Sequence, residues 1–460
     1  MQFIVMTILV ISIVRLLIVR FKEIAFIETV MVCRSSSLIV QLLLMPISHL
    51  IFPLVVLSLF SSSDASDAFW PGWRGPDRDA WVVYFEPPTQ WPESVQLEWS
   101  LDVGEGAGMP LVVDGRVYQH ARQRGEEVVW CVDLKSGEVL WRESYAVRYG
   151  IRSPGERHGS GPNSNPTLDD GRLFTFSVTG ILSAWAIDSG ELLWRRDYAD
   201  RFRRTHPDWG HSTSPLIDGD RVVVHFGSDD AGVLVALDVA TGEEVWTEGE
   251  DGACHASPII VELHGVRQIV EWNDESVVGI ESQTGRRLWA YYLPHEGSNQ
   301  NSPTPVFHEG RLLMGGENRG IRSLEPRLED GKWSVEENWH QRRVSLNMAS
   351  AVMNGGSLYG MSHFKQGQFF RLAPETGDIV WLGPSRMGEY ATFLSITGHI
   401  VALRDDGVLE VIPTAEDSYR AVASYQVANS PTWTAPVLLS NGFLVKDRTK
   451  LMRWTFLKDK

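Results

Sequence analysis

The chain predicts an all-β fold, an eight-bladed β-propeller of four-stranded antiparallel blades, on three observations. A hairpin unit typified by Ala236-Leu-Asp-Val-Ala-Thr-Gly-Glu-Glu-Val-Trp246 recurs along most of the 460 residues. A second hairpin signal alternates with it. The spacing between successive copies suits a four-stranded unit repeated around an axis.

In the first hairpin an apolar strand runs into a Thr-Gly turn, and a short second strand ends in an indole. Copies run from Asp133 to Trp141, Asp188 to Trp194, Asp238 to Trp246, Glu281 to Trp289 and Pro374 to Trp381, and in each the Gly stands four residues before the Trp. A weaker copy ends at Trp339 after the longer turn Arg327 to Gly331, and the last is reduced to Val422-Ala-Ser-Tyr425. The second signal is a small residue, often followed by Pro, then an apolar run, a Gly-bearing turn and another apolar run. Asn165-Pro-Thr-Leu-Asp-Asp-Gly-Arg-Leu-Phe174 and Ser214-Pro-Leu-Ile-Asp-Gly-Asp-Arg-Val-Val223 show it well. Its starts at 110, 166, 215, 258, 305, 351, 394 and 436 lie 42 to 56 residues apart. Seven blades are the alternative if the unit from Leu394 to Tyr425 is irregular, but its hairpin Arg404 to Val411 favours eight.

The eighth unit lacks a fourth strand, because the chain stops soon after Trp454. Leu97-Glu-Trp-Ser-Leu101 precedes the first unit and puts Trp99 where other units put their closing Trp. An N-terminal strand is therefore expected to complete the C-terminal blade and remove the exposed edges. The repeated residues have structural roles: Asp133, Asp188 and Asp238 are expected to accept turn amides, the Gly to take positive φ, and each Trp to pack between blades. Ahead of the repeats, Trp70-Pro-Gly-Trp-Arg-Gly-Pro-Asp77 and the Pro-rich run from Glu86 to Pro92 read as an ordered, irregular lead-in.

Composition narrows the function. The net charge of −16 belongs to the body, since Arg15, Arg20, Lys22 and Arg34 balance Glu23, Glu28, Asp64 and Asp67 in the first 68 residues. An acidic body argues against nucleic acid and anionic membrane surfaces. The three cysteines, Cys33, Cys131 and Cys254, offer the body at most one disulfide, and no Cys-x-x-Cys-His or zinc-type spacing occurs.

Residues 1 to 68 form a leader, with 69 to 460 as a single propeller domain. The leader's apolar blocks are interrupted by Arg15 and by Pro46, His49 and Pro53, so neither is a clean twenty-residue span. A secretory signal fits best, with Arg34 as basic region, Leu50 to Phe60 as apolar region and Ser66-Asp-Ala68 as cleavage site, translation starting at Met31 or Met45. A retained anchor is the alternative; Val32-Cys33 lacks the small residue that lipidation requires. The expected location is periplasmic or secreted.

The Ala-x-Asp-x-x-Thr-Gly-x-x-x-Trp repeat resembles that of the PQQ-binding-like propellers, a superfamily that includes quinoprotein dehydrogenases and the propeller lipoprotein of the outer-membrane assembly machinery. The resemblance covers roughly residues 70 to 457, and the lead-in resembles the opening of a secreted planctomycete-type branch. The shared residues are those that hold blades together, so the resemblance implies a fold more than a function.

Binding residues are expected in the loops that lead into the innermost strands, which converge on one mouth of the channel. Asn163, Trp209, His211, His255, Asn301, Glu389 and Trp433 are the candidates, with His158, Cys254, Asp208, Asn347, Met348 and Tyr390 nearby. Polar and aromatic together, they suit a small polar ligand or a protein loop. The preferred reading is a non-catalytic binding or protein-assembly scaffold that needs no cofactor. The alternative is a PQQ-dependent dehydrogenase of alcohols or sugars, in which Trp209 or Trp433 stacks the quinone and Asn163, Asn301 and Glu389 supply oxygens to calcium. Against it stand the missing adjacent-cysteine pair and the scarcity of Asp in these loops. A metal site from His211 and His255, assisted by His158 or Cys254, is a third and weaker reading. Asp229-Asp230 and Asp405-Asp406 are expected to be solvated turn residues.

Overall fold

The computed structural model describes residues 68–150, 158–296 and 300–457. The leader up to residue 67, with its cleavage-site and start-site expectations and Cys33, lies outside them, as do Ser298 and Asn299 of one mouth loop. Among the described residues the strands assemble into eight four-stranded antiparallel sheets. No helix there is long and apolar enough to cross a membrane.

Each blade opens with a short innermost strand: Leu111–Val113, Thr167–Asp169, Leu216–Asp218, Ile259–Leu263, Val306–His308, Val352–Asn354, Ala391–Ile396 and Val437–Leu439. The expected starts precede these strands by one residue, except that the seventh strand begins at Ala391, ahead of position 394. Blade 3 shows the common plan. Leu216–Asp218, Arg221–Gly227, Gly232–Asp238 and Glu244–Glu248 follow one another from the axis outward. The second and third strands are almost wholly buried, because blades cover both of their faces, while in the outermost only Trp246 is buried. Phe174, Phe176 and Leu182 of blade 2 thus pack on Val222, Val224 and Phe226 of blade 3.

Val95–Asp102 pairs antiparallel with Lys450–Phe456 as the outermost strand of blade 8. The N-terminal strand therefore closes the ring as the sequence predicts.

The motif residues meet at the joints between blades. Trp246 lies opposite Ala236 of its own blade, and the register shifts just beyond that pair, which leaves Val245 as an exposed bulge residue. The indole then reaches the next blade, where its Nε1 donates to Ser282 O at 3.0 Å and its face lies on Gly285. Trp99, Trp141, Trp194 and Trp339 make the same joint, donating to Leu134 O, Ile187 O, Val239 O and Pro374 O at 2.8 to 3.0 Å and covering Gly137, Gly190, Gly242 and Gly377. Glycine is needed there twice over: φ at these turns is positive, and an added Cβ would stand within 2.8 Å of the ring.

Blade 7 closes with Tyr425, whose Oη donates to Pro92 O of the lead-in, and two of the Trp joints differ, each because the following blade lacks the Thr-Gly turn. Trp289 faces the long hairpin of blade 5 and instead donates to Gln268 Oε1 of its own blade. Trp381 faces blade 7 and is flanked by Tyr359 and Tyr419.

Turn amides of Ser136 and of Thr241 and Ala240 hold the Asp133 and Asp238 carboxyls below their usual range. The same expectation fails for Asp188. In blade 2 the structurally equivalent position is Ala186, whose carbonyl receives Gly190 N as Asp238 O receives Gly242 N. Asp188 instead pairs with Arg116 of blade 1 at 2.7 Å.

The joint predicts a graded response. Trp246→Ala should lower unfolding free energy by about 3 to 5 kcal/mol, and Gly285→Ala, which drives a methyl into the same ring, should be comparably disruptive. Gly219→Ala has similar φ but open space around it, so only about 1 kcal/mol is expected. Urea unfolding of the three variants checks the order; equal losses would remove the indole from the argument.

Candidate functional site

The outermost-to-innermost connections and the hairpins between second and third strands lie at one end of the propeller. The Thr-Gly turns lie at the other. All the candidate residues belong to the first end.

The lead-in shapes the channel beneath them. Trp70 bridges to Val112 in blade 1, and Pro71 O receives Leu168 N of blade 2. Trp73 Nε1 donates to Thr304 Oγ1 of blade 5 at 3.0 Å. Arg74 donates to Ala351 O of blade 6 at 2.9 Å, and Arg78 to Ser214 O and Pro215 O of blade 3. Ala80 O receives Ser395 N of blade 7, and Tyr84 Oη donates to Leu438 O of blade 8. Only a segment crossing the axis can reach the innermost strands of seven blades, so the lead-in blocks the channel. Burial lowers the Arg74 and Arg78 guanidinium pKa values to about 10 and about 9, which leaves both charged at neutral pH.

Above this floor runs a belt of small polar residues, the recurrent small residue of the second sequence signal. Asn165 Oδ1 accepts Met109 N at 2.6 Å, Ser214 Oγ accepts Asn165 N, Ser257 Oγ accepts Ser214 N at 3.0 Å, and Ser350 Oγ accepts Thr304 N at 3.0 Å. Each bond crosses from one blade to the next. A serine hydroxyl that accepts an amide retains its own proton to donate.

Floor, belt and mouth loops enclose a cavity of about 430 Å³, within the usual range for small-ligand sites. Its lining brings together five of the candidates, Asn163, Trp209, His255, Glu389 and Trp433. Trp433 lies between His158 and Tyr390, with ring centroids at 4.3 and 5.6 Å.

His211 and Asn301 are not on this wall. His211 is buried against Phe176 at 4.6 Å, with Nε2 on Thr205 O at 2.8 Å. Asn301 is buried too, donating to Asn273 O at 2.7 Å and Asp274 O at 3.1 Å and receiving His255 N on its carbonyl. Both hold loop backbone in place, which sequence position alone does not distinguish from facing the channel. Asp208 is paired with Arg204. The Cys254 thiol, free and buried, receives Asn301 N. No group of three close ligand atoms among the described residues includes His211 or His255. Among the described residues, the one group of three ligand atoms close enough to share an ion is His308, Glu309 and Glu375 at the opposite end.

Asp229 and Asp405 also depart from expectation. Both lie in hairpins at the mouth end and are partly buried: Asp229 accepts Asp208 N at 2.8 Å and Gln300 Nε2, and Asp405 accepts Glu389 N at 3.1 Å. Burial raises both carboxyl pKa values.

Several lining residues escaped the sequence reading, chiefly Trp73 from the lead-in and Glu317 from a hairpin of blade 5. The Trp70-Pro-Gly-Trp-Arg run was visible as an island of rigid and aromatic residues, yet it has no periodicity that points to the axis.

Burial pushes the His255 pKa down to about 4 and that of His211 to about 3, from 6.5, so both rings are neutral near pH 7. Between these values and pH 6.5 the unfolded chain binds protons that the folded chain refuses. Stability present above pH 6.5 is therefore lost as the pH falls toward 4. His255→Gln should flatten that decline relative to the parent, as measured by urea unfolding at pH 7 and at pH 4.5. An unchanged slope would mean that the ring titrates normally in the folded state.

The chain is 22% identical over 349 residues to the outer membrane protein assembly factor BamB of Moranella endobia, covering 73% of this chain and 85% of that protein. It resembles the crystal structure of BamB from Moraxella catarrhalis at a TM-score of 0.55 and 14% identity, covering 80% of this chain and 99% of the other. It resembles quinohemoprotein alcohol dehydrogenase from Comamonas testosteroni at a TM-score of 0.61 and 12% identity, covering 88% and 83%. At such identities the structures show a common fold. The family model described as outer membrane protein assembly factor BamB matches residues 125–382, more than half of the chain, and the protein belongs to this family of PQQ-like propeller repeats.

Proposed function

We propose that the protein is a non-catalytic binding scaffold of the periplasm or cell exterior, holding a protein partner or small polar ligand at the channel mouth. One observation carries this: the mouth cavity is closed behind by the lead-in and lined by aromatic, amide and hydroxyl groups, with neither cations nor convergent carboxylates among its described residues. The relatives named as assembly factors support the scaffold role, and the leader supports export.

The dehydrogenase reading meets a misfit. PQQ bears several carboxylates, and its calcium needs clustered oxygen ligands. Among the described lining residues there is no Lys, Arg or Asp. Of the oxygens expected for calcium, Asn301 Oδ1 lies off the cavity wall, its amide nitrogen held by the 273–274 backbone, and Glu389 belongs to no group of three close ligand atoms among the described residues.

Two measurements test the proposal. Titration with PQQ and calcium, read by calorimetry and dye-linked alcohol oxidation, should give no turnover. A photo-crosslinking residue at Glu389 should capture an envelope protein that the same residue at Glu375, at the opposite end, does not. Turnover with PQQ, or equal capture at both positions, would overturn the scaffold reading.

A further inference from the structure

We infer that the mouth cavity takes a neutral, polyhydroxylated ligand, the end of a saccharide chain, stacked on indole faces that include Trp73. The inference rests on the binding-scaffold reading and adds the chemical class of the ligand.

The first argument is charge. No Lys or Arg lines the cavity among the described residues, and the two carboxylates that do, Glu317 and Glu389, oppose an anion. The guanidinium groups of Arg74 and Arg78 lie in the floor, where they donate to backbone carbonyls of the lead-in and the innermost strands. His255 is kept neutral by its burial. A phosphate or carboxylate ligand would thus lose its water without a counter-charge, whereas hydroxyl groups need none.

The second is the pattern of unused hydrogen-bonding groups. Neither ring nitrogen of His255 has a protein partner, and the neutral ring offers one donor and one acceptor. Trp433 Nε1 is a buried donor, and Gln300 Oε1 a buried acceptor, that also lack protein partners. Ser257 and Ser350 each accept a backbone amide and keep a hydroxyl proton. The lining side chains Asn163, Asn165, Ser212, Ser257, Gln300 and Asn347 likewise offer amide and hydroxyl groups that both give and take hydrogen bonds. Sugar hydroxyls do both.

The third is shape. Trp73, Trp209, Tyr390 and Trp433 contribute aromatic surface to one blind cavity. Indole faces suit the apolar C–H face of a pyranose while its hydroxyl edge meets the belt. Because the lead-in blocks the axis, the ligand enters from the mouth and cannot thread through. That geometry selects a chain end over an internal segment.

The test is calorimetric and saturation-transfer titration of the whole mature protein with neutral di- to tetrasaccharides of glucose, mannose, galactose and N-acetylglucosamine. Trp209→Ala and Asn347→Ala should each weaken binding of the best of these at least about tenfold while leaving the unfolding midpoint unchanged. Trp73→Ala should abolish it, although that variant also loosens the floor. Failure of every saccharide at millimolar concentration, or binding indifferent to Trp209→Ala and Asn347→Ala, overturns the inference. Crosslinking from Glu389 in that case would leave the scaffold reading standing. Tight binding of PQQ with calcium would overturn both.

Discussion

The structure depends on the joint in which an indole from one blade lies on a glycine of the next and donates to a nearby carbonyl. A β-sheet blade has two apolar faces and cannot bury either alone, so each blade's stability is borrowed from its neighbours. The joint sets the angle and distance at which that borrowing happens. Its demands are narrow: a small residue opposite the indole, as Ala236 is to Trp246, a bulge that aims the ring, and a turn glycine with positive φ beneath it. Trp99 meets the same demands across the closure. The join between the chain's two ends is therefore chemically one more joint of the kind that Trp141, Trp194, Trp246 and Trp339 make.

Because the recurring residues are committed to the joints, they cannot distinguish one function from another. That explains why proteins named for membrane-protein assembly and for alcohol oxidation share this fold at low identity. The differences lie in the mouth loops and in the lead-in, which are free to vary while the joints stay intact. Here the lead-in turns an open axial channel into a closed cup. It does so through backbone carbonyls and two buried guanidinium groups, contacts that tie seven blades to one short segment.

Electrostatics in the cup follow from that closure. With the axis plugged, His255 is desolvated enough to stay neutral. A charge placed there without a partner would be expensive.

The number of blades, the order of their strands and the closing role of the segment around Trp99 were legible in the sequence, because they rest on local turn chemistry repeated at a regular spacing. So was the convergence of the mouth loops: five of the seven candidate residues line one cavity. What sequence could not distinguish is which side of a loop faces the axis. His211 and Asn301 occupy the same positions along their loops as residues that face the channel, and only packing against Phe176 or the 273–274 backbone turns them away. The floor was hidden for a related reason. Trp73 and Arg74 meet blades 5 and 6 more than two hundred residues downstream. Local pattern records what a residue does to its own turn, whereas a contact across the axis exists only once all eight blades have closed around it.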